Sequence, residues 1–185
     1  DWKGSTNQHC AGTSLFRQLF PIRPTRHCMQ LPVDHHVVVQ GHDVRYWEEG
    51  SGTPLVLVHG LGNSVINWRK NIGSLSEHFR VIALDLPGHG LSQMPRSPFD
   101  LSQGATFLST FLDTLALPET HLVGNSMGGI LALELSLSKP SRISSLTLVD
   151  SAGLGQEIAL ALRIAALPLI GEFLHRPTPN RVRRL

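Results

Sequence analysis

The sequence predicts a doubly wound α/β fold with a mostly parallel sheet, and three observations predict it. Short apolar runs at 55–58 and 81–84 have the character of strands buried on both faces of a parallel sheet. Segments with helical spacing alternate with strand-like runs over most of the chain. Ahead of these, two β-branched or aromatic stretches flank Gly41 and read as an antiparallel hairpin added at the N-terminal edge.

The elements follow in order. Val37-Val38-Val39 and Val44-Arg45-Tyr46-Trp47 form the arms of the hairpin around Gln40-Gly41-His42, and Ser51-Gly52-Thr53-Pro54 breaks it. The run at 55–58 is a buried strand. Ile66, Trp68, Ile72 and Leu75 give residues 65–75 a mixed helical spacing. Residues 80–84 form the next strand, closed by the loop Leu86-Pro87-Gly88-His89-Gly90. Asp100 with Gln103 three residues on has the form of a capping box, opening a helix that carries Leu101, Ala105, Leu108, Phe111, Leu112 and Leu115. A strand at 120–123, a helix at 126–138 stopping before Pro140, and a strand at 143–149 complete the alternation. Residues 156–167 are again helical, with Pro168 at the break.

Composition narrows the class of protein. The chain has 185 residues, 41% hydrophobic and 16% charged, enough for a packed core, which excludes disorder throughout. The most apolar stretch, 158–171, is interrupted by Arg163 and Pro168 and falls short of the ~20 residues a membrane span needs. The net charge of +2 hides an uneven distribution. Residues 1–28 carry four basic groups against Asp1, and residues 175–185 carry four more with no acid, so residues 29–174 hold 8 basic and 13 acidic groups. An acidic body argues against nucleic acid as a partner. Cys10 and Cys28 precede the first clear element and fit neither a metal site nor a disulfide framework, so a reduced, cytoplasmic setting is expected.

The first 28 residues show no sustained period and no secretory h-region. Met29 lies just before the first strand-like run, so the native start is expected near it, with 1–28 as leader or read-through sequence. The organisation expected is thus a poorly ordered leader over 1–35, an α/β core over 36–155 and the start of a helical cap over 156–185.

One pentapeptide carries chemistry. Gly124-Asn125-Ser126-Met127-Gly128, followed by Gly129, lies where a strand turns into a helix. That placement is what a nucleophile elbow requires, because the tight turn holds the serine exposed in a strained backbone. A second element, His59-Gly60-Leu61-Gly62, follows the strand at 55–58. A tetrahedral intermediate needs two backbone N–H donors. Met127, after the nucleophile, supplies one, and Leu61, in the earlier loop, is the candidate for the other.

His59-Gly60-Leu61-Gly62, Asp85-Leu86-Pro87-Gly88-His89-Gly90-Leu91-Ser92 and the elbow with Gly129 together resemble the α/β-hydrolase fold superfamily. Asn125 before the serine and Met127-Gly128-Gly129 after it resemble carboxylesterases and the carbon–carbon bond hydrolases that cleave ring-fission products. Serine at the elbow is unlike haloalkane dehalogenases and epoxide hydrolases, which place an aspartate there. The resemblance implies a Ser-acid-His triad, a small-molecule ester or related acyl substrate, no metal and no organic cofactor.

The triad order of the family places both partners after the serine, the acid after the seventh strand and the histidine after the eighth. The strand-like runs number six, so the sheet is expected to be incomplete at its C-terminal side, leaving the strand that ends at Asp150 as an open edge prone to association. After Ser126 the sole histidine is His175, within the cap-like segment rather than on a post-strand loop. Asp150 has two readings, an alternative acid or a polar residue closing its strand. His59 is expected to brace the oxyanion loop and His89 to shape the turn after Asp85. His35, His36, His42, His78 and His121 form no metal-ligand pair at helical spacing. The apolar stretch 158–174 reads as a pocket wall or as a membrane-surface helix. The sequence therefore points to the N-terminal portion of a serine ester hydrolase, inactive alone. A carbon–carbon hydrolase and a non-catalytic binding module of the same fold are the alternatives.

Overall fold

The computed structural model describes residues 31–95 and 100–154. The helix expected at 156–167, the cap segment and nearly all of the leader lie outside the described residues. The chain divides into two compact units between Leu31 and Pro32, and every element below belongs to the second.

Strands β1 (Asp34–Val39) and β2 (His42–Glu49) form the hairpin, paired from Asp34↔Trp47 to Val39↔His42. Both turn residues are left-handed, Gln40 at φ 50° and Gly41 at φ 80°. A two-residue hairpin of this kind needs positive φ at both central positions to match the strand twist. The first strand starts at Asp34, two residues before position 36. Asp34 is held there by the Trp47 indole, whose Nε1–H donates to Oδ1 over 2.7 Å.

Strands β3 (Pro54–Val58) and β4 (Arg80–Leu84) are the short apolar runs, and both are buried along nearly their whole length. With β5 (Thr120–Asn125) and β6 (Ile143–Val149) they complete a six-stranded sheet in the order β1-β2-β4-β3-β5-β6. The pairs β3–β4, β3–β5 and β5–β6 are parallel, while β2 joins β4 antiparallel. Alternation along the strands divides the core. Val56, Val58, Ile82, Leu84 and Leu122 pack with helices α2 (Leu101–Thr114) and α3 (Met127–Ser138). Leu55, Leu57, Val81 and Ala83 face the other way, against Trp47, Val65, Trp68 and Ile72.

Residues 65–75 do not form one helix. A 3-10 turn, Val65–Trp68, is followed by a separate five-residue helix α1 (Ile72–Ser76). Asn67, Asn71 and Gly73 are weak helix formers, and the segment closes instead in short bonds, Asn67 N–H to Ser64 O (3.0 Å) and Asn71 N–H to Trp68 O (2.8 Å). The apolar positions still reach the core. Only the path between them differs.

The capping box is present in full: Gln103 N–H donates to Asp100 Oδ1 (2.8 Å) and Asp100 N–H to Gln103 Oε1 (3.0 Å). Asp100→Ala is expected to cost about 1 kcal/mol, the usual value of an N-cap. For a chain of this size that is a fall of roughly 2–4 °C in Tm, readable by thermal denaturation.

Among the described residues no strand pairs beyond β6, and Ser144, Ser145, Thr147 and Val149 are exposed along it. The loops that follow β3, β4, β5 and β6 leave the parallel strands from one edge of the sheet. In open α/β sheets, sites form in the crevice at that edge.

Candidate active site

Register builds the site. Strands β3 and β5 pair in parallel as far as Val58↔Gly124. Just past that pair, Gly60 comes to lie against Ser126. Contact geometry agrees, since a Cβ placed on Gly60 would stand 3.0 Å from Ser126 Cβ and 3.2 Å from Asn125 Oδ1. Glycine at position 60 is what lets the two loops touch.

Ser126 has φ 51° and ψ −114°, a conformation that L-residues with a Cβ rarely adopt and that costs about 1–3 kcal/mol. It occupies the N-cap of α3 but makes no side-chain cap bond, so its hydroxyl is not spent on the helix end, and it remains partly exposed. The strain is held by its neighbours. Ser126 N–H donates to Val149 O (3.0 Å), and Ser126 O accepts from Gly129 N–H (3.0 Å) and Ala152 N–H (3.1 Å). Asn125 Nδ2 adds a second bond to Val149 O (3.1 Å).

Close approach makes the elbow glycines obligatory. A Cβ at Gly124 would collide with the backbone of Gly128 and Gly129, and one at Gly128 with the carbonyl oxygens of Val58 and His59. At Gly129 it would meet Ser151 Oγ at 2.6 Å. Strand, helix and the loop after β6 converge here with no space for side chains.

Leu61 lies in a tight turn closed by Asn63 N–H to Gly60 O (3.2 Å), with Gly62 at φ 68°. Positive φ at the third position of such a turn favours glycine. The Leu61 side chain is 55% exposed. Among the described residues neither the Leu61 nor the Met127 amide donates to a backbone acceptor, whereas that of Ser126 does.

His59 is fully buried, and both ring nitrogens are engaged. Nδ1 lies 2.8 Å from Gly60 O and therefore carries the proton, while Nε2 accepts from Leu86 N–H over 3.0 Å. Burial is the main cause that pushes its pKa down from 6.5 to about 4. The neighbouring His89 and Arg45 push the same way, against the Gly60 carbonyl and Asp85. A neutral ring with both nitrogens occupied is a brace. The folded state thus binds fewer protons than the unfolded chain between pH 6.5 and about 4. The stability contributed by neutral His59 is complete above 6.5 and is lost as pH falls through that window, by roughly 3 kcal/mol. Urea unfolding of the protein and of His59→Gln between pH 7 and pH 4.5 is expected to show a steeper loss for the parent. Parallel curves would show that the ring takes up its proton without disturbing the loop.

Of the other residues singled out in the sequence, His89 lies in the turn after Asp85, and Asp150 directly follows Val149, whose carbonyl accepts from Ser126 N–H. His89 Nδ1 bonds Pro87 O (3.0 Å), and the ring lies 5.2 Å from that of His59, within the turn after Asp85. Asp150 is exposed at φ 47°, closing β6. His175 lies outside the described residues. Among the described residues no group of three or more His, Cys, Asp or Glu is placed to hold a metal, and no helix is long and apolar enough to cross a membrane. Sequence reasoning missed the clamp that Val149 and Ala152 place on Ser126. Its only local signal was small residues after a strand.

Comparison with known proteins places the fold. The family model described as alpha/beta hydrolase fold matches residues 53–168. The chain is 44% identical over 131 residues to the dihydrolipoyllysine-residue acetyltransferase component of the acetoin cleaving system of Pseudomonas putida, covering 70% of this chain and 35% of that protein. It is 37% identical over 126 residues to 2-hydroxy-6-oxo-2,4-heptadienoate hydrolase of Pseudomonas putida F1, covering 66% of this chain and 46% of that one. Among solved structures, a membrane phospholipase A described as a bacterial virulence factor aligns with a TM-score of 0.66 at 35% identity, over 69% of this chain and 42% of the other. The chain spans about a third to a half of the length of the curated relatives it matches.

Proposed function

The chain belongs to the α/β-hydrolase fold family, and we propose that it is a serine hydrolase of small carboxylic esters, working through an acyl-enzyme on Ser126. The observation that carries this reading is Ser126 itself. It is turned into a strained conformation at a strand–helix junction, with its hydroxyl uncommitted among the described residues and Gly60 against its Cβ.

In this reading Ser126 Oγ attacks the ester carbonyl, and its proton passes to a base. Negative charge collects on the former carbonyl oxygen, where the N–H groups of Leu61 and Met127 receive it. Collapse expels the alcohol, which takes the proton, and water then hydrolyses the acyl-enzyme. The scheme calls on neither a metal nor an organic cofactor. His59 is not the base, because both its nitrogens are bonded. In this reading the base and its acid come from beyond Leu185. A serine hydroxyl without its base is a weak nucleophile, so the 185-residue chain by itself is expected to turn over esters slowly or not at all.

The test is covalent labelling by a p-nitrophenyl phosphonate, read by mass spectrometry, on the chain and on Ser126→Ala. Slow modification confined to Ser126 is expected. Label elsewhere, or equal label on the alanine variant, would overturn the assignment. Fast hydrolysis of p-nitrophenyl acetate by the chain, abolished in Ser126→Ala, would instead overturn the missing base.

A second reading, a carbon–carbon bond hydrolase of ring-fission products, is favoured by the 37% identical relative named as a heptadienoate hydrolase. Faster turnover of a vinylogous diketo acid than of simple esters would decide for it.

A further inference from the structure

We propose that Asp85 is a positioning residue for the oxyanion loop, which is pinned at both ends by the dipeptide Asp85-Leu86 at the end of β4. This inference rests on the reading that the Leu61 amide serves as an oxyanion donor.

The loop from His59 to Val65 joins β3 to the 3-10 turn, with Leu61 between. At its near end Leu86 N–H donates to His59 Nε2 (3.0 Å), and His59 in turn holds Gly60 O through Nδ1 (2.8 Å). At its far end Val65 N–H donates to Asp85 Oδ1 (2.7 Å). Two adjacent residues that follow β4 thus fix both ends. The stretch between is held by its own turn and by Ser64 N–H to Asn63 Oδ1 (2.9 Å). The place of the Leu61 amide is therefore set from β4.

The carboxylate is built in for this purpose. Asp85 is fully buried, and isolated carboxylates are not left in such places. Its Oδ2 accepts from Leu91 N–H (2.9 Å), and Arg45 Nε lies 2.8 Å away, although its N–H is not aimed along that line. Arg45 is itself only 8% exposed, so the two charges neutralise each other in the interior. Gly90, at φ 54°, wraps so closely that any Cβ would collide with the carboxylate. Ser92 Oγ–H donates to Asp85 O (2.9 Å) and accepts from Arg45 N–H (2.9 Å), fixing the backbone of the same residue. Everything around Asp85 serves to orient the oxygen that holds Val65.

Two variants sever the same bond by different means. Asp85→Ala removes the carboxylate and with it the acceptor Oδ1. Val65→Pro removes the donor and exchanges a buried isopropyl group for the proline ring, at the first position of a helical turn, where proline is tolerated after an extended residue such as Ser64. Amide hydrogen exchange across 60–64 is expected to rise about tenfold or more in both, with β3, β4 and β5 keeping the parent's protection. Phosphonate labelling of Ser126 is expected to slow roughly tenfold to a hundredfold, a part of what loss of one oxyanion donor costs. Unchanged exchange in the loop, or an equal rise throughout the core, in whichever variant folds, would overturn the proposal. Ser126→Ala measured alongside keeps the two readings apart. If it labels like the parent, the nucleophile assignment falls while the exchange result still decides the clamp.

Discussion

Ser126→Gly is expected to destroy hydrolysis by the active protein and at the same time to stabilise the fold. Loss of the nucleophile removes roughly 10⁴-fold or more in turnover, since binding and the oxyanion donors alone retain only a residue of catalysis. The gain in stability has a separate origin. At φ 51° and ψ −114° a Cβ is crowded, and glycine relieves a strain of about 1–3 kcal/mol. Against this stands the greater freedom of glycine in the unfolded chain, about 0.5–1 kcal/mol. A net gain of roughly 1 kcal/mol remains, or about 2–4 °C in Tm. Ser126→Ala is the control, because it removes the hydroxyl but keeps the Cβ. The order of stability expected in urea unfolding is glycine above alanine, with alanine close to the parent. If glycine proves no more stable than alanine, the junction stores no strain.

The second large effect lies two residues on. Gly128→Ala is expected to cost about 3–5 kcal/mol, at the far end of what single substitutions do. Its Cβ would enter the space of the Val58 and His59 carbonyl oxygens. These are backbone atoms of β3 and of the residue that braces the loop, so relief requires the helix to back away from the sheet and the elbow to open. Gly73→Ala provides the contrast. It sits in helix α1, where the added methyl would find no atom of a neighbouring element within 4 Å, and it is expected to stabilise by about 0.5–1 kcal/mol. Urea unfolding of the pair measures the difference. A mild Gly128→Ala would mean that the helix N-terminus yields at little cost and that tight closure is not what fixes Ser126.

Local patterns carried much of this protein into view. The apolar runs of β3 and β4 named themselves as doubly buried strands, and Gln40-Gly41-His42 marked a hairpin, which the structure closes in two residues with His42 already paired to Val39. Asp100 and Gln103 marked the start of α2 correctly, because a capping box is a contact between residues three apart. The glycine pattern at 124, 128 and 129 was legible too, although only Gly124 is required by the strand and the helix that follows it; Gly128 and Gly129 make room for Val58, His59 and Ser151. Residues 65–75 were harder. Their apolar spacing fits a helix, but weak helix formers left the segment as a 3-10 turn and a separate short helix.

The alternation of strands and helices and the serine at the junction were readable from residue order, because each depends on residues a few positions apart. Folding in three dimensions was needed to show that Val149 and Ala152 hold that serine in its strained state, that His59 is a buried brace, and that Asp85 with Arg45 reaches across to the far end of the loop. These contacts join segments about 20 to 40 residues apart. Their energy depends on burial and on register between strands, and neither is written in the spacing of residues along one element.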